Sequence, residues 1–247
     1  MELYFIRHAQ SNNNALFAET GSWATRVPDP DITGTGRAQA QHLARYLAQP
    51  YVPPDPGLFV DAPQKGFGLT HLYASPMRRA IVTAGYVAQA LALPLTVWET
   101  LHERGGIFQL DEQDEPQGLP GADRATLAAY HPGLLLPESL HPAGWWQSRH
   151  EPRQAVPGRA HRFLAELHER HGSSDDRVAV FSHAGFYQSV MGALLDSPRP
   201  DTDWQDPEHV WFVLHNVGIS RIDFNATGSL AIRYLNRVSF LPDELVT

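Results

Sequence analysis

The sequence predicts an α/β fold, a mostly parallel sheet flanked by helices on both faces, formed as a single domain over residues 1–247. Short apolar segments of strand character alternate with longer segments of helical periodicity. A hydrophobic content of 43% and a charged content of 19% are typical of a globular core. Three strand-like segments are followed directly by polar motifs, and ligands bind at such carboxyl ends of strands in parallel sheets.

The first predicted strand and helix are separated by a polar loop. Residues 3–6 are a short apolar run, as expected of a buried parallel strand, and the polar run Arg-His-Ala-Gln-Ser-Asn-Asn-Asn follows. Apolar side chains at helical spacing predict a helix over residues 37–48, with Thr33 as a suitable N-cap before it. Residues 50–68 are rich in proline and glycine and are predicted to form a surface loop.

A second strand–helix unit is predicted in the middle of the chain. Residues 71–74 have strand character and precede Ser75-Pro76, a pair typical of a helix start because serine caps the helix and proline fits its first position. We expect that helix to extend to about Leu91 and a third strand to follow over residues 95–98.

The second half begins with a segment that lacks strand periodicity. Residues 104–156, rich in Gly, Pro and His, are predicted to be an inserted cap with one or two short helices. A helix over residues 159–171, a strand over 177–181 and a helix over 186–195 should complete the parallel part of the fold. Closing strands are predicted over residues 210–214, 218–224 and 230–234.

Composition and charge exclude several classes of function. A formal net charge of −8 and a pI near 5.9 disfavour binding to nucleic acid or to an anionic membrane, both of which require a basic surface. The absence of cysteine excludes disulfides and thiol nucleophiles. No signal peptide and no membrane-length apolar run are visible, so we expect a cytoplasmic protein. An anionic substrate remains compatible, because a few arginines can converge locally.

The three polar motifs at strand ends suit phosphoryl transfer. Arg7 and Arg79 can offer planar forks of donors to phosphate oxygens, and the neutral imidazole of His8 can attack phosphorus. His183 would supply a second imidazole in the same pocket. Arginine and histidine provide the positive charge, so we expect neither a metal nor an organic cofactor.

A carboxyl group is also needed, because the departing alkoxide must receive a proton. Glu103 follows the third strand and is the best-placed candidate for this general acid, which would afterwards activate the hydrolytic water. Asp111 and Glu112 are weaker alternatives.

Five motifs in this order resemble those of the histidine phosphatase (phosphoglycerate mutase-like) superfamily. The resemblance covers residues 1–103 and 175–235 and rests on Arg7-His8-Ala9, Thr33-Gly34-Thr35-Gly36-Arg37-Ala38-Gln39-Ala40, Ser75-Pro76-Met77-Arg78-Arg79-Ala80, Ser182-His183-Ala184-Gly185 and the segment from Asn216 to Arg221.

This resemblance implies roles for individual residues. His8 would be phosphorylated, Asn14 would contact the phosphate, and Arg79, not Arg78, would be the phosphate-binding arginine of the third motif. Ser11 suits both a helix cap and a phosphate donor, and that choice stays open. Ala184 stands where the family usually has glycine, as does the alanine after His8, which adds a methyl group beside the phosphate.

The substrate expected from this resemblance is a small phosphorylated metabolite, hydrolysed through phosphohistidine. A mutase of the same chemistry is an alternative, but the long tail and cap segment associated with that branch are not visible. A protein that only binds a phospho-ligand is a further alternative, which the full set of catalytic residue types disfavours. Trp145-Trp146 could line a cleft, although packing of the cap fits that pair better. His168 and His171 are spaced i, i+3 on a helix, yet no third metal ligand has suitable spacing.

Overall fold

The structure is a computed structural model, and it describes residues 1–52, 66–147, 149–195, 210–225 and 229–247. A six-stranded sheet forms its centre, and in the described residues its order is β3-β2-β6-β1-β7-β8. The strands are β1 (Glu2–Arg7), β2 (His71–Ala74), β3 (Leu95–Val97), β6 (Arg177–Ser182), β7 (Ile219–Phe224) and β8 (Leu230–Arg237). The four strands from β3 to β1 are mutually parallel, while β7 and β8 are antiparallel additions at one edge.

Helices cover both faces of the sheet, as predicted. They are α1 (Asn12–Thr20), α2 (Gly34–Leu47), α3 (Arg78–Leu91), α4 (Arg124–Tyr130), α5 (Val156–His171) and α6 (Ala184–Leu194). Alternation along β1 shows how one strand serves two cores, since Tyr4 and Ile6 belong to the apolar cluster with α2 and α3, whereas Leu3 and Phe5 belong to that with α5 and α6. The mostly parallel α/β fold is therefore confirmed. No helix in the described ranges is long and apolar enough to cross a membrane.

Several predicted boundaries need correction. The helix predicted to start at Ser75-Pro76 begins at Arg78, because the hydroxyl of Ser75 is engaged elsewhere and Met77 is the N-cap residue. Thr33, in contrast, is the N-cap of α2, as predicted, and accepts the N–H of Gly36 at 3.0 Å. The helix α1, within the predicted polar loop, was missed. Most of the predicted loop over residues 50–68 lies outside the described residues.

The prediction of a closing strand over residues 210–214 was wrong. These residues pair with no strand of the described chain, and the apolar side chains of Val210 and Val213 are exposed. The position beside β1 is taken by β7, and β8 pairs with the other side of β7. The other two closing strands were correct.

Residues 104–156 contain a short helix, as predicted, together with a β-hairpin that the sequence did not indicate. The hairpin pairs β4 (Phe108–Leu110) with β5 (Pro116–Gly118), and each strand has three residues. Strands this short have too few side chains to show a period of two. Trp145 is buried in the same cluster as α2 and α3, and Trp146 packs against that cluster. Both therefore hold this segment to the sheet, and neither lines the cavity described next.

Candidate active site

The three polar motifs meet at one end of the sheet. Because β2, β6 and β1 are adjacent and parallel, the residues that follow them lie side by side. They border a cavity of about 1050 Å³. Seven of the eight predicted site residues line it: Arg7, His8, Ser11, Asn14, Arg79, Glu103 and Ala184. His183 is fully buried and does not line the cavity itself, but its ring centroid is 5.1 Å from that of His8.

The backbone around His8 is fixed from several elements. Its N–H donates to the carbonyl of Ser182 at 3.0 Å, and its own carbonyl accepts the side-chain N–H of Asn216 at 2.9 Å. The N–H of Ala9 donates to the hydroxyl of Thr83 on α3 at 3.0 Å. The histidine is thus held by β6, α3 and the segment before β7, which leaves it little freedom to move.

The side chain of His8 is held in one tautomer. Its Nδ1 lies 2.7 Å from the carbonyl oxygen of Ala9, and because a carbonyl oxygen only accepts, Nδ1 carries the ring proton. Nε2 is therefore unprotonated and accepts from Nε of Arg79 at 3.2 Å. Burial, reinforced by the charges of Arg79 and Arg7, holds the pKa of His8 well below the usual 6.5. The imidazole is neutral, with its lone pair on the nitrogen that faces the guanidinium.

Two guanidinium groups accompany this histidine. Arg79 has Nη1 at 3.7 Å from a carboxylate oxygen of Asp29, and Arg7 donates from Nη1 to the carbonyl of Leu214 at 2.7 Å. Nε of Arg7 is buried with no hydrogen-bond partner in the described part of the chain. Burial lowers the pKa of Arg7 to about 10, so the group remains a cation at neutral pH. Both arginines therefore bring positive charge to the cavity wall.

His183 is oriented by a serine. Nε2 of His183 lies 2.8 Å from Oγ of Ser75, and that oxygen also accepts the N–H of Met77 at 3.3 Å. Since no other described acceptor takes the serine hydrogen, the hydroxyl donates to Nε2 and leaves the ring proton on Nδ1. Nδ1 is buried and lacks a partner among the described residues. Burial, followed by the charge of Arg79, holds the pKa of His183 well below 6.5.

Glu103 lies against the N-terminus of α6. Its two oxygens accept the N–H groups of Arg104 at 2.8 Å, Gly185 at 3.1 Å and Phe186 at 2.8 Å. A Cβ on Gly185 would come 2.5 Å from Oε1 of Glu103, so the glycine lets the carboxylate approach the helix this closely. The carboxyl group is thus fixed at the cavity by three backbone N–H donors.

Asn14 and Ser11 are joined by a capping box at the start of α1. Ser11 accepts the N–H of Asn14 at 3.3 Å, and Oδ1 of Asn14 accepts both the hydroxyl and the N–H of Ser11. The same oxygen accepts from Asn216 at 3.2 Å, which leaves the Nδ2 group of Asn14 as its free donor at the cavity. Ser11 serves the cap here, and a direct bond from its hydroxyl to phosphate would require it to release Asn14.

Residues 59–237 match the histidine phosphatase superfamily (branch 1). The chain belongs to this superfamily. A curated relative from Hydrogenobacter thermophilus that bears the name of a phosphoserine phosphatase is 24% identical over 237 residues, which are 96% of this chain and 95% of that protein. The family and the phosphatase class predicted from the sequence are thereby confirmed.

Solved structures of the superfamily have the same fold. The phosphoserine phosphatase of Entamoeba histolytica, crystallised as a mutant with phosphoserine, has a TM-score of 0.58 and 17% identity, covering 98% of this chain and 99% of that one. A mycobacterial glucosyl-3-phosphoglycerate phosphatase has a TM-score of 0.57 and 20% identity, covering 95% and 98%. Identities this low establish the likeness of fold alone.

Other candidates from the sequence lie outside the cavity of this superfamily member. Arg78 does not line the cavity and pairs with Asp31 at 2.8 Å, in agreement with the choice of Arg79 over Arg78 as the phosphate-binding arginine. Asp111 accepts amide hydrogens of its own hairpin turn, and neither it nor Glu112 lines the cavity. Glu103 is therefore the better placed of the three carboxylates.

One group in the described residues has the composition of a cation site. His71, His171 and Asp176 offer ligand atoms that all lie within 4.8 Å of one another, whereas His168 is not part of the group. Nδ1 of His171 is already 2.9 Å from a carboxylate oxygen of Asp176. The group sits at the amino-terminal ends of β2 and β6, the opposite edge of the sheet from His8. A cation held there would not reach the cavity.

The sequence does not predict the roles that two residues of the site have in the structure. Ser75 was interpreted as a helix cap, although its hydroxyl orients His183. Arg26 lines the cavity from the loop after α1. A serine bonded to a histidine 108 residues away gives no local signal, and no local pattern marks Arg26 either.

Proposed function

We propose that this phosphatase hydrolyses phosphate monoesters of small metabolites, without a metal, through a phosphohistidine at Nε2 of His8. The observation that carries the proposal is the tautomer of His8, whose unprotonated Nε2 is held at a cavity wall that also carries Arg7 and Arg79. An unprotonated nitrogen is what nucleophilic attack requires, and fixed cations stabilise the charge of a transferring phosphoryl group.

In the first step the lone pair of Nε2 attacks phosphorus while the bond from phosphorus to the ester oxygen breaks. Arg79 now donates to Nε2, so we expect its guanidinium to transfer that hydrogen bond to the incoming phosphoryl oxygens. Nε of Arg7, Nδ1 of His183 and Nδ2 of Asn14 are further donors without partners in the described residues. An equatorial oxygen of the phosphoryl group would satisfy each of them.

We assign the proton transfers to Glu103. As general acid, this carboxyl group enters the step carrying a proton. The protonated group gives its hydrogen to the departing ester oxygen, and the alcohol leaves. The resulting carboxylate takes a proton from water, whose oxygen attacks phosphorus as the bond to Nε2 breaks. Inorganic phosphate is released, and the neutral imidazole of His8 is restored.

The segment 104–156 is proposed to be the cap that selects the substrate within a single phosphatase domain, residues 1–247. Several of its side chains, among them Phe108, Leu110 and His150, line the cavity together with the catalytic groups. The curated relative is named as a phosphoserine phosphatase, and the Entamoeba histolytica enzyme was solved with phosphoserine and with 3-phosphoglyceric acid. Small phosphorylated acids are accordingly the first substrates to test.

Replacement of the nucleophile tests the proposal directly. His8→Ala should lower phosphate release by at least ~1000-fold, because the covalent route is lost. EDTA should leave the wild-type rate unchanged, and a brief reaction with ³²P-labelled ester should leave an acid-labile label on the wild type but not on His8→Ala. His141→Ala, which removes an exposed histidine, is the control. Activity that EDTA abolishes and a divalent cation restores would refute the metal-free route.

A mutase would use the same first step, so product analysis must separate the two reactions. With 3-phosphoglycerate we expect free phosphate and glycerate, since the cavity opens to solvent water around Trp23 and Phe17. Accumulation of 2-phosphoglycerate without phosphate would favour the mutase.

A further inference from the structure

Arg26 is a cation of the active-site cavity that the proposed hydrolysis does not use. It lines the same cavity as Arg7 and Arg79, and its Nη1 is buried with no hydrogen-bond partner among the described residues. No described carboxylate forms an ion pair with it, whereas Glu151, the other carboxylate of the cavity besides Glu103, is already paired with Arg159 at 2.7 Å. A partly buried guanidinium without a hydrogen-bond or ion-pair partner opposes folding. The presence of such a group at a ligand cavity therefore indicates that the ligand supplies an anion.

The position of Arg26 is fixed before any ligand arrives. The side chain of Asn13 clamps the next residue in the chain, donating to the carbonyl of Val27 at 2.8 Å and accepting its N–H at 2.9 Å. The guanidinium carbon lies 3.7 Å from the ring centroid of Phe108, a stacked cation–π arrangement. The guanidinium of Arg26 is therefore held between this loop and the β4–β5 hairpin, and it is preorganised to bind one ligand group.

Arg26 interacts electrostatically with two residues of the proposed reaction, Arg79 and Glu103. Burial lowers its pKa to about 10, with a further lowering from Arg79 and an opposite effect from Glu103. It remains charged at neutral pH, yet it makes no hydrogen bond to Arg7, His8 or Arg79. The cavity of about 1050 Å³ is far larger than a phosphoryl group, so a molecule bound at His8 has room to reach Arg26.

We propose that Arg26 binds a second anionic group, in the simplest case a carboxylate, on the molecule whose phosphoryl group is transferred to His8. The inference rests on the proposed function and narrows its substrate class to phosphorylated small acids. A single guanidinium matches a single carboxylate in charge and in the geometry of two parallel hydrogen bonds. The phosphoryl group itself has Arg7 and Arg79 as its cations.

The test uses pairs of esters that differ only in the anionic group. Phosphoserine is compared with phosphoethanolamine, which lacks the carboxylate, and 3-phosphoglycerate with glycerol 3-phosphate. Arg26→Gln should lower kcat/KM for the carboxylated member of each pair by about 10- to 100-fold, the loss of a charge-assisted hydrogen-bonded pair. For the other member the change should stay below about threefold. Arg45→Gln, which removes an exposed arginine of α2, controls for net charge and should affect neither.

Two further variants guard against misfolding. Arg26→Lys keeps the charge but loses the fork, and Phe108→Leu removes the stacking platform, so both should produce smaller losses that are again confined to the carboxylated esters. Equal losses for both members of a pair would assign Arg26 to the phosphoryl group and overturn the inference, as would no loss for either. If the wild type releases phosphate from none of the four esters, the proposed function fails, and that result is distinct from an altered preference between pair members.

Discussion

Acid should destabilise this protein, because three histidines are buried in the neutral form. Burial lowers the pKa of His102 to about 3, and those of His8 and His183 lie well below 6.5 for the same reason. The folded pKa is depressed in each case, so the unfolded chain binds protons that the folded chain refuses. Their contribution to stability is complete above pH 6.5 and is lost as the pH falls below that value.

The size of the effect follows from proton linkage. At pH 5.5 an unfolded histidine of pKa 6.5 is about ten-elevenths protonated, which stabilises the unfolded chain by about 1.4 kcal/mol. His102, whose folded pKa is about 3, should therefore lower the free energy of unfolding by about 1.4 kcal/mol between pH 7.5 and pH 5.5, and His8 and His183 should lower it further. A loss of this size is a substantial part of the 5–15 kcal/mol that a domain typically has.

Urea unfolding at the two pH values measures this loss, and variants isolate one histidine. His102 does not line the cavity; it packs between Trp145 and Trp146 and hydrogen-bonds the carbonyl of Glu103. In His102→Asn the difference in unfolding free energy between the two pH values should shrink by about 1.4 kcal/mol. His141→Asn, at an exposed position, controls for the loss of a titratable group.

Subtracting the loss of unfolding free energy in His102→Asn from that in the wild type cancels the contributions of the other ionisable groups. If the loss on acidification is the same in His102→Asn and in the wild type, within about 0.4 kcal/mol, His102 is not held neutral by burial and the reasoning fails. His102→Gln should repeat the result, which guards against a change in packing peculiar to asparagine.

Three more perturbations probe the site. Ser75→Ala removes the donor to Nε2 of His183 and should lower kcat by about 10- to 100-fold, whereas Ser75→Thr should restore it. In Ser75→Ala the NMR signal of the His183 ring nitrogens should shift, and an unchanged signal would contradict the tautomer assignment. Glu103→Gln should lower kcat/KM, which reports phosphoryl transfer to His8, by about 10²- to 10⁴-fold for alkyl phosphates. For p-nitrophenyl phosphate, whose leaving group needs no proton, kcat/KM should fall much less, and equal losses would remove Glu103 as the acid. Arg159→Met should lower the free energy of unfolding by about 3–5 kcal/mol, because the carboxylate of Glu151 loses its ion-pair partner. The double replacement of Arg159 and Glu151 by methionine should lower it less, and denaturant unfolding measures both values.

The sequence alone determined the class of fold and the residue types of the candidate site. Local periodicity fixes which face of a helix or strand is apolar, and strand ends are marked by the change to polar residues, so the motifs at His8, Arg79 and His183 could be placed at one edge of a sheet. The N-cap at Thr33 was also visible, because capping involves residues three positions apart.

Only the tertiary structure decided how these groups are held. Ser75 is bonded to a histidine 108 residues away, and Glu103 receives its amide donors from Gly185 and Phe186, more than 80 residues away. Such contacts leave no periodic trace in the sequence, since they depend on which strands become neighbours. The same holds for residues 210–214, whose apolar pattern suits a strand but which pair with no strand of the described chain, and for Arg26, whose role follows from the absence of a hydrogen-bond partner among the described residues.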